Sequence, residues 1–186
     1  MRPPTARDPC ARTLFTSLLA LAATSCGGPV LFVEAELPRV CLTQVAVEIP
    51  AAPGGVAVPP VAVPIQVPFE DQIPLLRTSG VETELHIDEI RVTPRSGSPD
   101  LSGVASAVVN AVGPSGAIVP ILSYARDAAA PRPAELVITG DGVDVAPLLV
   151  NGQARLQIVA SGRPPTTAWS ADVRTCAHGR TRVPYL

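Results

Sequence analysis

The chain has 186 residues, 47% of them hydrophobic but only 3% aromatic, with fourteen arginines, sixteen acids and no lysine. A net charge of −2 without a basic run excludes an electrostatic nucleic-acid surface, because gripping backbone phosphates needs clustered cations. Two histidines and four cysteines leave little material for a metal cluster or a histidine-based catalytic machine, and no cofactor is expected.

Arg2, Arg7 and Arg12 precede an apolar run over residues 14–23, and the small residues Ala23, Thr24 and Ser25 then lead to Cys26. A basic start, a short apolar middle and a small-residue ending make a secretory signal peptide. Ten apolar residues are too few for a membrane-spanning helix, which needs about 20. The ending resembles the lipobox of bacterial lipoproteins, with Ala23 where that pattern usually has leucine. The resemblance covers residues 1–28 alone. It implies cleavage before Cys26 (an ordinary signal peptidase cutting nearby is the alternative), acyl chains on the Cys26 sulfur and amine, and attachment to the bacterial outer membrane. Each buried methylene contributes roughly 0.8 kcal/mol, so two or more chains anchor stably where one does not.

Without residues 1–25 the chain keeps 161 residues, the length of one domain, and eleven arginines against fifteen acids. Cys10 leaves with the signal and Cys26 is the lipid site, so Cys41 and Cys176 remain, one near each end. An even pair in an exported protein reads as a disulfide. Closing a loop of about 135 residues removes roughly 4 to 5 kcal/mol of chain entropy from the unfolded state. A zinc site joining these thiols to His86 or His178 lacks ligand spacing.

Residues 26–38 read as a lipidated start and tether, with Val30 to Val33 apolar enough to pack. From Arg39 the period is two: Cys41, Thr43, Val45, Val47 and Ile49 share one face, with Gln44 and Glu48 opposite, as in a half-buried strand. Residues 56–74 alternate too but carry five prolines, which donate no ladder hydrogen bond; this predicts an edge strand. Residues 81–92 are the clearest strand, with Val81, Thr83, Leu85 and Ile87 inward. The phase then slips before Ile90 and Val92, predicting a β-bulge at Asp88-Glu89.

Residues 101–112 and 117–124 form two more strands around a turn at 113–116, and 135–139 a further one. Asp144 caps a short helix near 144–151 through Ala146, Pro147 and Leu148, with Gly152 ending it. Strands at 155–160 and 167–175 close the chain. Strict alternation with Trp169, Ala171 and Val173 inward sends Cys176 outward, so either another bulge intervenes or the disulfide lies at the strand's end, outside the core.

Seven or eight short, mostly antiparallel strands with Gly- and Pro-rich turns predict an all-β fold, a single β-sandwich over residues 39–186. A tryptophan close to a disulfide resembles the immunoglobulin-like architecture, although here Trp169 is seven residues before the second cysteine and not between the two. Small exported sandwiches of the late-embryogenesis-abundant type 2 group are similar in the same general way. A disulfide between first and last strands makes those strands neighbours.

Catalytic signals are weak. There is no G-x-S-x-G elbow, His86 sits on an outer strand face, and His178 has no marked partner. Asp88 and Glu89 are adjacent, so regular strand geometry points them to opposite faces and denies them paired acid–base work. Glu70 and Asp71 read as solvated acids at a strand end. Asp141, Asp144 and Asn151 match no calcium loop, and turn and cap roles account for both aspartates. The few aromatic rings give no stacking platform for carbohydrate or single strands. The expectation is a non-enzymatic binding or structural module at the cell envelope, partnered by the membrane through its anchor and by an envelope protein, with a carrier of an apolar ligand between the sheets as the alternative.

Overall fold

The computed structural model describes residues 31–52, 61–96, 99–129, 131–140, 142–163 and 165–185. Cys10, Cys26 and Asp141 lie outside the described residues. Eight strands follow in chain order: β1 (Leu31–Ile49), β2 (Val61–Pro68), β3 (Glu82–Ser96), β4 (Val104–Val112), β5 (Ile118–Ala125), β6 (Leu136–Thr139), β7 (Gln153–Gly162) and β8 (Trp169–Tyr185). Their order in space is β1-β8-β3-β6-β5-β4-β7-β2. All named pairings are antiparallel.

The ladder is thinnest between β6 and β5, where Ser123 and Thr139 are the paired residues. There the sheet folds over into two four-stranded layers, β1-β8-β3-β6 and β2-β7-β4-β5. Across the far side, the Gln44 amide of β1 donates to the Gln66 carbonyl of β2, so the sandwich nearly closes as a barrel. Strand 1 pairs with 8, 2 with 7, 3 with 6 and 4 with 5. One long antiparallel ribbon wrapped over itself gives this order, which is the jelly roll. The expected all-β sandwich is present; its strand order differs from that of an immunoglobulin domain, whose sheets read ABED and CFG.

The alternations build the core. Val63, Ile65 and Val67 of β2, Leu85, Ile87, Ile90 and Val92 of β3, Val109 of β4 and Leu156 of β7 point inward and are buried. As expected, β2 is an edge strand, with Pro64 and Gln66 exposed. The β3 slip is a bulge: Ile87 faces Ala177 and Glu89 faces Cys176, leaving Asp88 as the extra residue.

Several details differ from the sequence expectation. First, β1 begins at Leu31, inside the stretch read as a tether, and its first residues pair with the end of β8. Second, Thr43 and Val45 do not face the core; Val45 is 64% exposed. A bulge between Gln44 and Val47, with Ala46 at φ 56°, shifts the phase so that Leu42, Val47 and Ile49 pack inward. Third, the helix near 144–151 is one 3-10 turn, Ala146–Leu148. Gly152 ends no helix. Asn151 (φ 54°) and Gly152 (φ 77°) form a hairpin turn in which Val150 and Gln153 exchange hydrogen bonds of 2.9 and 3.1 Å. Two successive positive φ angles in a two-residue loop are the signature of the type I′ turn.

Strand β8 runs on to Tyr185, well past the expected end at Thr175. Its register against β1 and β3 shows no extra residue on β8 itself, so Trp169, Ala171, Val173, Thr175, Ala177 and Thr181 all face the core. Cys176 therefore lies on the opposite face, in mid-strand and not at its end. It stands directly opposite Cys41, and the two are joined by a disulfide with a Cα–Cα distance of 4.0 Å.

Candidate functional site

The outer face of the β1-β8-β3 layer is where the chain's charged side chains meet. On β8, alternation turns Asp172, Arg174, Cys176, His178, Arg180 and Arg182 outward. On β3 it does the same for Glu82, Glu84 and His86. The register then sets Glu82 against Arg182, Glu84 against Arg180, and His86 against His178. Strand β1 brings Glu34 opposite Arg182 and Glu36 opposite Arg180 from the other side. Opposite charges on directly paired positions attract across the ladder.

Both flanking strands are bulged beside this stretch of β8. In β1 the extra residue falls between Leu37 and Val40, and in β3 it is Asp88. A bulge re-aims the side chain that it carries. Arg39 and Asp88 are thereby joined across β8, Nε to Oδ2 at 3.4 Å, and Arg39 Nη2 also lies 3.7 Å from Glu89 Oε2. The bulge corrects the expectation for Asp88 and Glu89. Both carboxylates reach the same guanidinium on the same face, where regular alternation would have parted them.

Within this frame the polar groups answer one another. His178 Nδ1 donates to Asp88 Oδ1 at 2.6 Å, and His86 Nδ1 donates to the Gly142 carbonyl at 2.6 Å. The two imidazole rings stack with centroids 5.4 Å apart and planes at 30°. Arg180 forms a two-pronged pair with Glu84, at 2.7 and 3.0 Å. Those hydrogen bonds, with the guanidinium charge behind them, hold the Glu84 carboxyl below its ordinary value of 4.5 and raise Arg180 above its own. Arg182 binds Glu34 at 2.9 and 2.5 Å and lies 5.4 Å over the Phe32 ring. Further along, Arg91 Nη1 binds Glu135 at 2.6 Å. Glu36, Leu37, Arg39, Glu84, His86 and His178 line an open groove of about 480 Å³.

The other sequence candidates are scattered. Asp144 Oδ1 accepts from the Leu85 and Ala146 amides at 2.9 and 3.0 Å, so it ties β3 to the 3-10 turn. Asn151 belongs to the hairpin turn that leads into β7. Asp71 is exposed as expected, but Glu70 is buried and accepts from Gln153 Nε2 at 2.9 Å. The turn that carries Gly152 folds back over Phe69–Asp71, taking the Glu70 amide onto its own carbonyl at 3.2 Å, and that contact removes the acid from water. Among the described residues no three His, Cys, Asp or Glu side chains gather closely enough to hold a metal together.

Sequence reasoning missed the pairing of His86 with His178. The signal lay in Thr175, Ala177, Gly179 and Thr181, which continue the β8 period with residues too small or polar to register as a hydrophobic face.

Between the layers, Val63, Val92, Val104, Ile158, Trp169 and Val173 help to enclose an apolar cavity of about 50 Å³. A water molecule occupies about 30 Å³ in the liquid, and a ligand of drug size needs about 300–1,000 Å³. The cavity is thus several-fold smaller than such a ligand needs.

No protein-family model matches the chain, and no curated protein matches it. Among solved structures, the decameric BFDV capsid protein is similar at 11% identity and a TM-score of 0.38, covering 82% of this chain and 99% of that one. Infectious bursal disease virus, Gx strain, aligns at 13% identity and a TM-score of 0.33, over 90% of this chain and 40% of that one.

Proposed function

We propose that this chain is an exported lipoprotein, held at the membrane by acyl chains on Cys26, whose sandwich serves as a non-enzymatic binding or structural module of the cell envelope. The observation that carries the reading is the Cys41–Cys176 disulfide, which ties the first strand to the last. Disulfides of this kind form and persist in oxidising compartments such as the periplasm and cell surface. The leader, with its basic start and short apolar middle, supports the same address.

The outer-face chemistry supports the absence of a catalytic role. Asp88 is shared by Arg39 and His178, and Glu84 is held by Arg180. Glu84, so held, is stabilised in its charged form and makes a poor proton donor near neutral pH. The partner is another envelope protein, met by the charged layer of β1, β8 and β3.

Labelled fatty acid should enter the wild-type protein and fail to enter Cys26→Ser; equal labelling of the two removes the anchor. Crosslinking in intact cells should then recover one envelope protein reproducibly. A specific hydrolase activity that disappears in Asp88→Asn would replace the binding role with an enzymatic one.

A further inference from the structure

We propose that His86 and His178 together bind a divalent transition-metal cation of the zinc, copper(II) or nickel class, on the outer face of β3 and β8. The proposal starts from register. The two are directly opposed cross-strand partners, and they are the chain's only histidines. Their ring centroids stand 5.4 Å apart. A cation held at about 2.0–2.1 Å by one nitrogen from each of two imidazoles, at a tetrahedral angle, places the ring centroids roughly 5 Å apart. The strands already supply that spacing, and turning the stacked rings while each Nδ1 stays on its acceptor is the remaining adjustment.

The second observation concerns which nitrogen carries the proton. His86 Nδ1 faces the Gly142 carbonyl and His178 Nδ1 faces the Asp88 carboxylate, each at 2.6 Å. A carbonyl oxygen can only accept, and the Asp88 oxygens, which also face the Arg39 guanidinium, act as acceptors in the same way. Each ring thus gives Nδ1 to an acceptor, which leaves Nε2 as the nitrogen that can face an ion. Metal-binding histidines are oriented in this way, one nitrogen given to a carbonyl or carboxylate and the other to the ion. Here both arrangements occur on one pair of facing residues.

The third observation is access. The pair borders the open groove of about 480 Å³, and Glu84 Oε2 lies 3.9 Å from His86 Nε2. That carboxylate is also held by Arg180, which lines the groove with Arg39, and the groove leaves room for water in the remaining coordination positions. Two imidazole nitrogens favour zinc, copper(II) or nickel over magnesium or calcium, which prefer oxygen. Asp88 is then a positioning residue: it fixes the His178 tautomer without touching the ion.

The test is a titration of the full chain in detergent with copper(II) alone and with zinc alone, near neutral pH. One equivalent should bind, and the copper(II) electron-paramagnetic spectrum should carry hyperfine coupling to two imidazole nitrogens. His86→Ala and His178→Ala should each weaken binding at least tenfold. Asp88→Asn, which keeps both rings, should weaken it by roughly 10–100-fold, the usual cost of losing an outer-shell partner. Circular dichroism and an intact Cys41–Cys176 bond serve as fold controls, with His86→Gln and His178→Gln as second variants. The nitrogen count in the wild-type spectrum decides the matter even if every variant misfolds. Absence of stoichiometric binding, coupling to fewer than two nitrogens, or unchanged affinity in a folded histidine variant overturns the proposal.

Discussion

Glu84 and Leu85 are neighbours on β3 with opposite surroundings. Leu85 is 0% exposed, and its amide and carbonyl are both engaged, donating to Asp144 and accepting from Val145. Truncating a buried leucine removes its transfer energy and leaves a cavity that the surroundings fill only in part. Leu85→Ala should therefore lose about 2–5 kcal/mol in urea unfolding. Glu84 contributes through charge. Its carboxyl is held below 4.5 in the folded protein by Arg180. A lowered folded value stabilises the protein above the unfolded value, and that contribution is lost as the pH falls through the folded one. Wild type should lead Glu84→Gln in urea midpoint at neutral pH, and the gap should close on the acid side of 4.5. A gap of constant size from neutral to acid pH removes the ion pair as its origin.

At the scale of elements, legibility in the sequence follows the contrast between the two faces of a strand. On β3, Leu85 and Ile87 alternate with Glu84 and His86, and the slip at Asp88-Glu89 shows as a break in that contrast. On β1 the same kind of break is hidden, because Val45 and Ala46 are both apolar and either reads as the inward residue. On β8 the inward side passes from Trp169 and Val173 to Ala177 and Gly179, and the apolar alternation fades. Gly179 shows why the residue there is small: a Cβ atom at that position would sit 2.1 Å from the Glu84 carbonyl oxygen. With the end of β8 went the register, and with the register the meeting of His86 and His178. The disulfide was legible because an even cysteine pair behind a leader-like sequence implies it without any geometry. The β1 bulge also makes a prediction. Ala46 sits at φ 56° with its amide donating to Asp172 at 3.0 Å. The left-handed region costs an alanine about 1–2 kcal/mol and a glycine little. Ala46→Gly should accordingly raise stability, by up to roughly 1 kcal/mol after the entropy of the added glycine. No gain, or a loss, in chemical denaturation would show that the bulge relaxes once the alanine is gone.

For the whole molecule, the wrapping of the ribbon ranks the strand pairs by the length of chain they close. The β4·β5 pair is joined by a short turn in which Gly113 accepts from Gly116 and donates to Ala117. The β1·β8 pair, at the other extreme, brings together cysteines 135 residues apart. Non-local pairings cost loop-closure entropy before they return any contact energy, so this pair is the expensive one to form. The disulfide removes that cost from the unfolded chain, by about 5 kcal/mol on the chain-entropy model. A transition state that already holds the inner pairs has its ends close together, so the crosslink restricts it far less than it restricts the unfolded state. The energy of the crosslink should then appear mainly in the folding rate. Chevron plots of the oxidised and reduced protein should differ in the folding arm by at least roughly tenfold, with unfolding arms nearly superimposed. If reduction leaves the folding arm in place and speeds unfolding, the chain ends are still far apart at the barrier, and β1 and β8 dock only after it.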